Sequence, residues 1–402
     1  MNSPDIMIFE PNMGGHHAEF TCHLMRYWLD NIEEGTLLAA IAPGLLEQQP
    51  RMSAGMVRPP RTERADLETP LPGSQASLWQ KGTRNRELLT GAIERHRPKH
   101  VLVMYLDHAQ LALAGGLRFP FPVRISGILF HPTLHYSGHD SFSPRSYLQG
   151  LRKRLVLRAI ARNPHLDTVF TLDPSAVPSL RSLGLNAVAL PDPVVQTGTE
   201  GRAPRQMRED FAVESGRRML LLFGSLTARK GVSQTLEALA LLEASEARQI
   251  ALLMAGPLDA ALRPLVESFV AKARSRGVQV IQHDAYIQND AVQSFVEAAD
   301  LVLAPYQRHF GSSAVLIRAA VAGRPVLSQE FGLMGANVRQ HGLGQAVDTS
   351  RPPAIAAAVS GFLRNPCLGF DPEAARRYAQ ANTPEQFCQT IVDRLVPSFS
   401  RS

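Results

Sequence analysis

The sequence predicts an α/β protein made of two doubly wound parallel-sheet domains. Three observations carry that expectation. Short apolar runs alternate with helical patterns from one end of the chain to the other. The runs fall into two series, separated by a polar stretch rich in Pro, Gly and Arg. At 402 residues the chain exceeds what one ordinary core organises, so division into two domains is the natural solution.

In the first series the strand candidates are residues 6–9, 37–42, 101–105, 123–130, 169–172 and 188–190. In the second they are 219–223, 250–255, 278–282, 301–304 and 325–327. Strands this apolar, with helices between them, belong to parallel sheets covered on both faces. The boundary is Leu190-Pro-Asp-Pro193, a rigid extended turn, and the polar residues 196–208 read as a linker. The expected domains are therefore 1–193 and 209–382. In the final segment, 383–402, Thr383 caps a helix, Pro384 takes its first position and Glu385 its first turn. That helix either packs back on the first domain or stays with the second. Residues 43–78 and 134–144 hold no sustained period. Such excursions at strand ends either meet ligands or are plain surface loops.

Hydrophobic residues make up 45% of the chain and charged residues 19%, the balance of a well-packed soluble protein. Aromatics, at 6%, are too sparse for the stacking platform of a single-stranded nucleic-acid binder, and no nucleic-acid partner is expected. A formal charge of +6 suits an anionic ligand or an anionic membrane surface, and equally a solvated arginine-rich face. Cys22, Cys367 and Cys388 lie far apart with no metal-ligand spacing, which points to buried thiols in a reducing compartment. No metal and no cofactor are expected. The first residues show no charged-then-apolar leader pattern, and no apolar run approaches the ~20 residues of a membrane span, so a cytoplasmic location is expected.

Three constellations carry chemistry. In Ile8-Phe9-Glu10-Pro11-Asn12-Met13-Gly14-Gly15-His16-His17 a strand ends, Gly14 and Gly15 turn, and a helix begins near His17 or Ala18. The glycines let backbone approach a ligand, the helix end adds partial positive charge, and His16 can act as donor or base; the alternative is a tight turn with surface histidines. In Phe223-Gly224-Ser225-Leu226-Thr227-Ala228-Arg229-Lys230-Gly231, Arg229 offers a planar fork and Lys230 a point charge to diphosphate oxygens, with Ser225 alongside. In Tyr306-Gln-Arg308-His309-Phe310-Gly311-Ser312-Ser313, Ser312 or Ser313 caps a helix that Gly323 ends. His309 and the N–H groups of residues 311–314 then face the diphosphate. Tyr286 and Ile287 follow a strand, in a loop that either holds a flat base or is a plain turn.

The second half resembles the retaining GT-B glycosyltransferases, the large family of sucrose synthases and bacterial mannosyl- and glucosyltransferases. The matching order is Phe223-Gly224…Lys230-Gly231, Met254-Ala-Gly256-Pro257, Tyr286-Ile287, Ala299-Asp300…Pro305 and Ala319…Gly323-Arg-Pro325-Val326. The likeness covers most of residues 215–350 and is looser over 1–193. It implies two Rossmann-like domains facing a cleft, a donor-phosphate role for Lys230, and transfer from a UDP- or GDP-sugar to an unidentified acceptor without a metal. Gly14-Gly15-His16 looks like the family's acceptor-side loop. Residues 127–131 look like the strand end that keeps a histidine near the sugar, here His131 or His135.

One departure stands out. The family carries two glutamates eight positions apart, the first beside the donor sugar and the second gripping the ribose. This chain has no Asp or Glu from Leu301 to Gln329. Alignment on Gly323-Arg-Pro325-Val326 puts Phe310 and Arg318 there; alignment on Phe310-Gly311 puts Arg308 and Leu316. Arginine only donates and cannot accept from a ribose diol. It can instead bind phosphate or pair with an acid such as Glu330. A catalytically weak GT-B-like binding or scaffolding subunit is therefore the alternative to an active transferase. Finally, residues 144–162 place Leu148, Leu151 and Leu155 beside six cations, either a helix resting on anionic lipid or a core-facing helix with a solvated basic side.

Overall fold

The computed structural model describes residues 3–13, 16–68, 78–132, 144–195 and 203–396. The chain forms two compact units, residues 1–193 with 384–402 and residues 194–383.

Unit 1 holds β1 (Ile6–Glu10), β2 (Leu37–Ile41), β3 (Thr62–Asp66), β4 (His100–Val103), β5 (Arg124–Ile128), β6 (Leu166–Thr171) and β7 (Ala187–Ala189). They form one parallel sheet in the order β3-β2-β1-β4-β5-β6-β7. Alternate residues of β1 serve opposite layers: Met7 and Phe9 join one apolar cluster, Ile6 and Ile8 the other. Burial on both faces is why the strand reads as an unbroken apolar run.

Unit 2 repeats the plan with β8 (Arg218–Phe223), β9 (Ile250–Ala255), β10 (Gln279–His283), β11 (Leu301–Ala304), β12 (Val326–Gln329) and β13 (Gly344–Val347), ordered β10-β9-β8-β11-β12-β13. Leu220 and Leu222 face one layer, Leu221 and Phe223 the other. In each sheet the strand order reverses beside the first strand, between β1 and β4 and between β8 and β11. Loops leaving the carboxyl ends at such a switch point diverge and leave a crevice.

Two strands escape the sequence reading, β3 and β13, and both are sheet edges. An edge strand pairs on one side only, so Thr-Glu-Arg-Ala-Asp and Gly-Gln-Ala-Val need no apolar run. β3 lies inside the 43–78 stretch that looked aperiodic. Part of the expected linker is also structured: Pro204–Asp210 is a helix whose Met207 is buried in the unit 2 core. Its Arg208 pairs with Asp300 at 2.5 Å. Of the three thiols, Cys22 and Cys388 are buried, but Cys367 is exposed in the turn after the helix Pro352–Arg364.

The helix Pro384–Leu395 belongs to unit 1, where Phe387, Cys388, Ile391, Val392 and Leu395 close the layer beneath the helix His17–Asn31. The helix Pro144–Ala161 turns Leu157 and Ile160 into the core. Its leucines do not all follow, because Leu151 and Leu155 stay 46% and 56% exposed. Nor is its basic side uniformly solvated: Lys153 folds back and donates to the His131 carbonyl. Among the described residues, no helix is long and apolar enough to cross a membrane.

Candidate functional site

In unit 2 the switch-point loops after β8 and β11 bring together residues 229–231 and 305–313. The first loop makes a short 3₁₀ turn, Ala228–Lys230, then passes through Gly231 into the helix Val232–Ala240. Gly231 has φ +68°, and a Cβ there would stand 2.0 Å from the Pro305 carbonyl oxygen. Only glycine lets the two loops approach this closely. They are stitched by Gln307 N–H, which donates to the Arg229 carbonyl at 2.8 Å. Arg308 takes φ +52°, a left-handed conformation that non-glycine residues adopt at a cost.

The closeness lets Lys230 reach Tyr306. Lys230 is only 7% exposed, and its Nζ donates to Tyr306 Oη at 2.6 Å. Among the described residues no carboxylate pairs with it. Tyr306 Oη lies 2.9 Å from Ser313 Oγ, and the Arg229 guanidinium sits 5.1 Å from the Tyr306 ring centre. Burial alone would raise the Tyr306 pKa; the adjacent Lys230 charge and hydrogen bond, with Ser313 and Arg229, outweigh it and hold the phenol below its usual value.

Ser313, rather than Ser312, caps the helix Ala314–Val321 by accepting from Val315 N–H, and Gly323 at φ +62° follows its end. His309 turns its Nε2–H onto the Ser312 carbonyl at 3.0 Å and so braces the turn 311–313. Phe310 packs edge-on against Phe331, 4.7 Å between ring centres. Arg318 is half-buried on the helix, with its carbonyl accepting from Gln293. Ser225 is exposed beyond β8. Tyr286, 69% exposed, and Ile287, packed on the core, lie past β10 at the edge of the sheet.

In unit 1 the switch point gathers a different set. Glu10, the last residue of β1, is fully buried. Its Oε1 accepts from Asn12 N at 2.8 Å and Asn12 Nδ2 at 2.6 Å, and its Oε2 faces His17 Nδ1 at 2.7 Å. Asn12 Oδ1 in turn meets His108 Nδ1 at 3.1 Å. Asp107 accepts the N–H groups of Phe130 and His131 at 2.7 and 3.1 Å, pinning the end of β5. His131 is exposed, with its Nδ1 3.3 Å from Tyr105 Oη.

His16 is placed differently from its neighbour. Its ring packs within 4.8 Å of His17, Phe20 and Phe130, and its Nε2 is buried without a partner among the described residues. Burial, reinforced by the charges of His17 and His131 and opposed by Glu19, pushes its pKa down to about 4. Gly14, Gly15 and His135 lie outside the described residues. Among those described, no group of three His, Cys, Asp or Glu is arranged to hold a metal ion.

The sequence reading passed over Tyr306, Glu10, Asn12, His17, Tyr105 and His108. Tyr306 stands two residues beyond a predicted strand, and Glu10 is an acid closing an apolar strand; both were available signals. What joins each to its partners is the sheet order.

Residues 217–365 match the model of the family described as glycosyl transferases group 1. No curated protein matches the chain. Among solved structures the chain is similar to HepE of Anabaena in complex with UDP, at 14% identity and TM-score 0.67 over 98% of this chain and 100% of that one. It is also similar to the sucrose-phosphate synthase of Thermosynechococcus elongatus, at 16% identity and TM-score 0.70 over 96% and 97%. A third is the UDP-forming α,α-trehalose-phosphate synthase of Burkholderia xenovorans in complex with glucose-6-phosphate, at 14% identity and TM-score 0.63 over 97% and 99%. At these identities the likeness is one of fold.

Proposed function

We propose that this chain, which has the GT-B fold and carries a group 1 glycosyl transferase domain in its second unit, moves a sugar from a UDP- or GDP-sugar to an acceptor hydroxyl. The observation that carries this reading is Lys230, a buried ammonium at the β8–β11 switch point whose hydrogen-bond partner is a phenol rather than a carboxylate. A buried charge without a counter-charge is costly, and a diphosphate supplies one. The relay extends outward. Tyr306 Oη accepts from Lys230 and shares a hydrogen bond with Ser313 Oγ, which also accepts from Val315 N–H, so one chain of polar contacts runs from the buried ammonium to the helix start.

As the glycosidic bond breaks, negative charge gathers on the leaving diphosphate, and Arg229 and Lys230 neutralise it where they already stand. The transfer proposed is metal-independent and retaining. Gly311, Ser312 and Arg318 complete the phosphate contacts, and the loop at Tyr286 and Ile287 holds the base. In unit 1, His131 contacts sugar hydroxyls while His16 supplies a ring face. A panel of sugar nucleotides tests the reading by turnover and by thermal stabilisation; failure of both for every member removes it. Stabilisation without turnover selects the binding subunit instead, the reading favoured by Phe310 and Arg318 standing where carboxylates are expected.

Contact with an anionic membrane surface is proposed for the helix Pro144–Ala161. Leu151 and Leu155, one turn apart, are exposed among the exposed Arg152, Arg154 and Arg158, and no acid occurs from residue 141 to 166. Apolar side chains ringed by cations suit an interface of acyl chains and anionic headgroups.

A further inference from the structure

Glu10 decides what His17 can do. A buried carboxylate has only acceptors to offer, and here three N–H groups claim them. Asn12 gives both its main-chain and side-chain N–H to Oε1, which leaves Oε2 for His17 Nδ1. Asn12 is held in that orientation because its remaining oxygen accepts from His108 Nδ1. His17 must therefore carry its proton on Nδ1. In the neutral ring Nε2 is then a bare lone pair.

That lone pair is not sealed. The His17 side chain is 14% exposed, and its Nε2 is not among the buried, unpartnered nitrogens, whereas that of His16 is. Around it stand the Tyr105 ring, 5.4 Å from the His17 ring, and the stack of Tyr105 on Phe130 at 5.0 Å. An acceptor nitrogen beside aromatic faces suits a ligand with hydroxyls on an apolar ring.

We infer that His17, oriented by Glu10, is a binding residue of unit 1 that accepts a hydrogen bond from a hydroxyl of a sugar. The ligand class rests on the glycosyl-transfer reading above; the fixed tautomer rests on the geometry alone. Glu10→Gln separates the two. The amide keeps one acceptor oxygen for three donors, and Asn12 supplies two of them. The new NH₂ is thereby turned on His17, which has to move its proton to Nε2 and lose the acceptor.

Histidine-¹⁵N spectra of the full-length protein read this directly, with His17→Gln identifying the resonances. In the neutral ring the expected wild-type spectrum has Nδ1 protonated and Nε2 bare, and Glu10→Gln reverses the pair. Glucose, mannose and galactose are the probes. At least one shifts Nε2 of His17, and Glu10→Gln weakens that sugar about fivefold, the weight of one hydrogen bond. A wild-type Nε2–H tautomer overturns the inference, as does an unchanged tautomer in Glu10→Gln; if that variant does not fold, the wild-type spectrum decides. If no hexose reaches His17 while UDP still raises the Tm, the ligand class falls and the glycosyl-transfer reading survives. If UDP also has no effect, that reading falls, and the tautomer still decides the role of Glu10.

Discussion

Lys230 Nζ lies 2.6 Å from Tyr306 Oη, across 76 residues of sequence and between the ends of the adjacent strands β8 and β11. Among the described residues the buried Lys230 meets a phenol rather than a carboxylate, an arrangement that suits an anionic ligand.

Lys230→Ala is therefore expected to weaken UDP much more than uridine. A charge-assisted phosphate contact contributes about 1.5–3 kcal/mol, which is roughly ten- to a hundredfold in Kd. Calorimetric titration with both ligands checks it. Equal losses for the two would take Lys230 out of the phosphate site.

The loop that presents Lys230 depends on a contact only glycine allows. Gly231→Ala sets a Cβ 2.0 Å from the Pro305 oxygen at φ +68°, and a loss of more than about 2 kcal/mol is expected. Gly91→Ala is the contrast, since it lies in the helix Leu78–His96 with nothing within 4 Å of the new methyl. There a gain of about 0.5–1 kcal/mol is expected. Urea midpoints measure both, and a destabilised Gly91→Ala would defeat the comparison.

Stability should fall in mild acid. Burial pushes both His16 and His100 down to about 4, from the ordinary 6.5. Their neutral forms are favoured in the folded state, so the unfolded chain binds protons more readily between those values. The stabilisation is full above pH 6.5 and is lost as pH falls towards 4, at about 1.4 kcal/mol per unit for each group. His16→Phe, which keeps the ring stack, should remove one histidine's share of the slope. Urea unfolding from pH 7 to 4.5 tests this, and an unchanged slope would exclude His16.

The exposed face of the helix Pro144–Ala161 should bind vesicles that contain phosphatidylserine and ignore those of phosphatidylcholine alone. Each arginine near the surface contributes about 1 kcal/mol, screened by salt. Leu151→Ser with Leu155→Ser should cut flotation at constant charge. Equal flotation on neutral and anionic vesicles would contradict the proposal.

Much of this molecule is legible without coordinates. An inner strand of a parallel sheet is buried on both faces, so β1, β8, β9 and β11 announce themselves as apolar runs, and the two-domain plan follows from their alternation with helices. Lys230 and the turn 311–313 can be nominated for phosphate from sequence, because that chemistry needs cations and glycine beside helix starts, and the structure sets their two loops side by side. The edges β3 and β13 were not legible, since a strand paired on one side carries no compulsory pattern.

Nor did the sequence point to His17 beside His16, the one it put forward. They are adjacent in the chain, and one ring turns into Phe20 and Phe130 while the other turns to Glu10. Tyr306 reaches Lys230 only because β11 lies next to β8, a fact of sheet order rather than of local pattern. Composition and period determined the layers; long-range strand pairing decided which side chains meet, because hydrogen-bond partners are fixed by three-dimensional neighbours and leave no periodic trace in the chain.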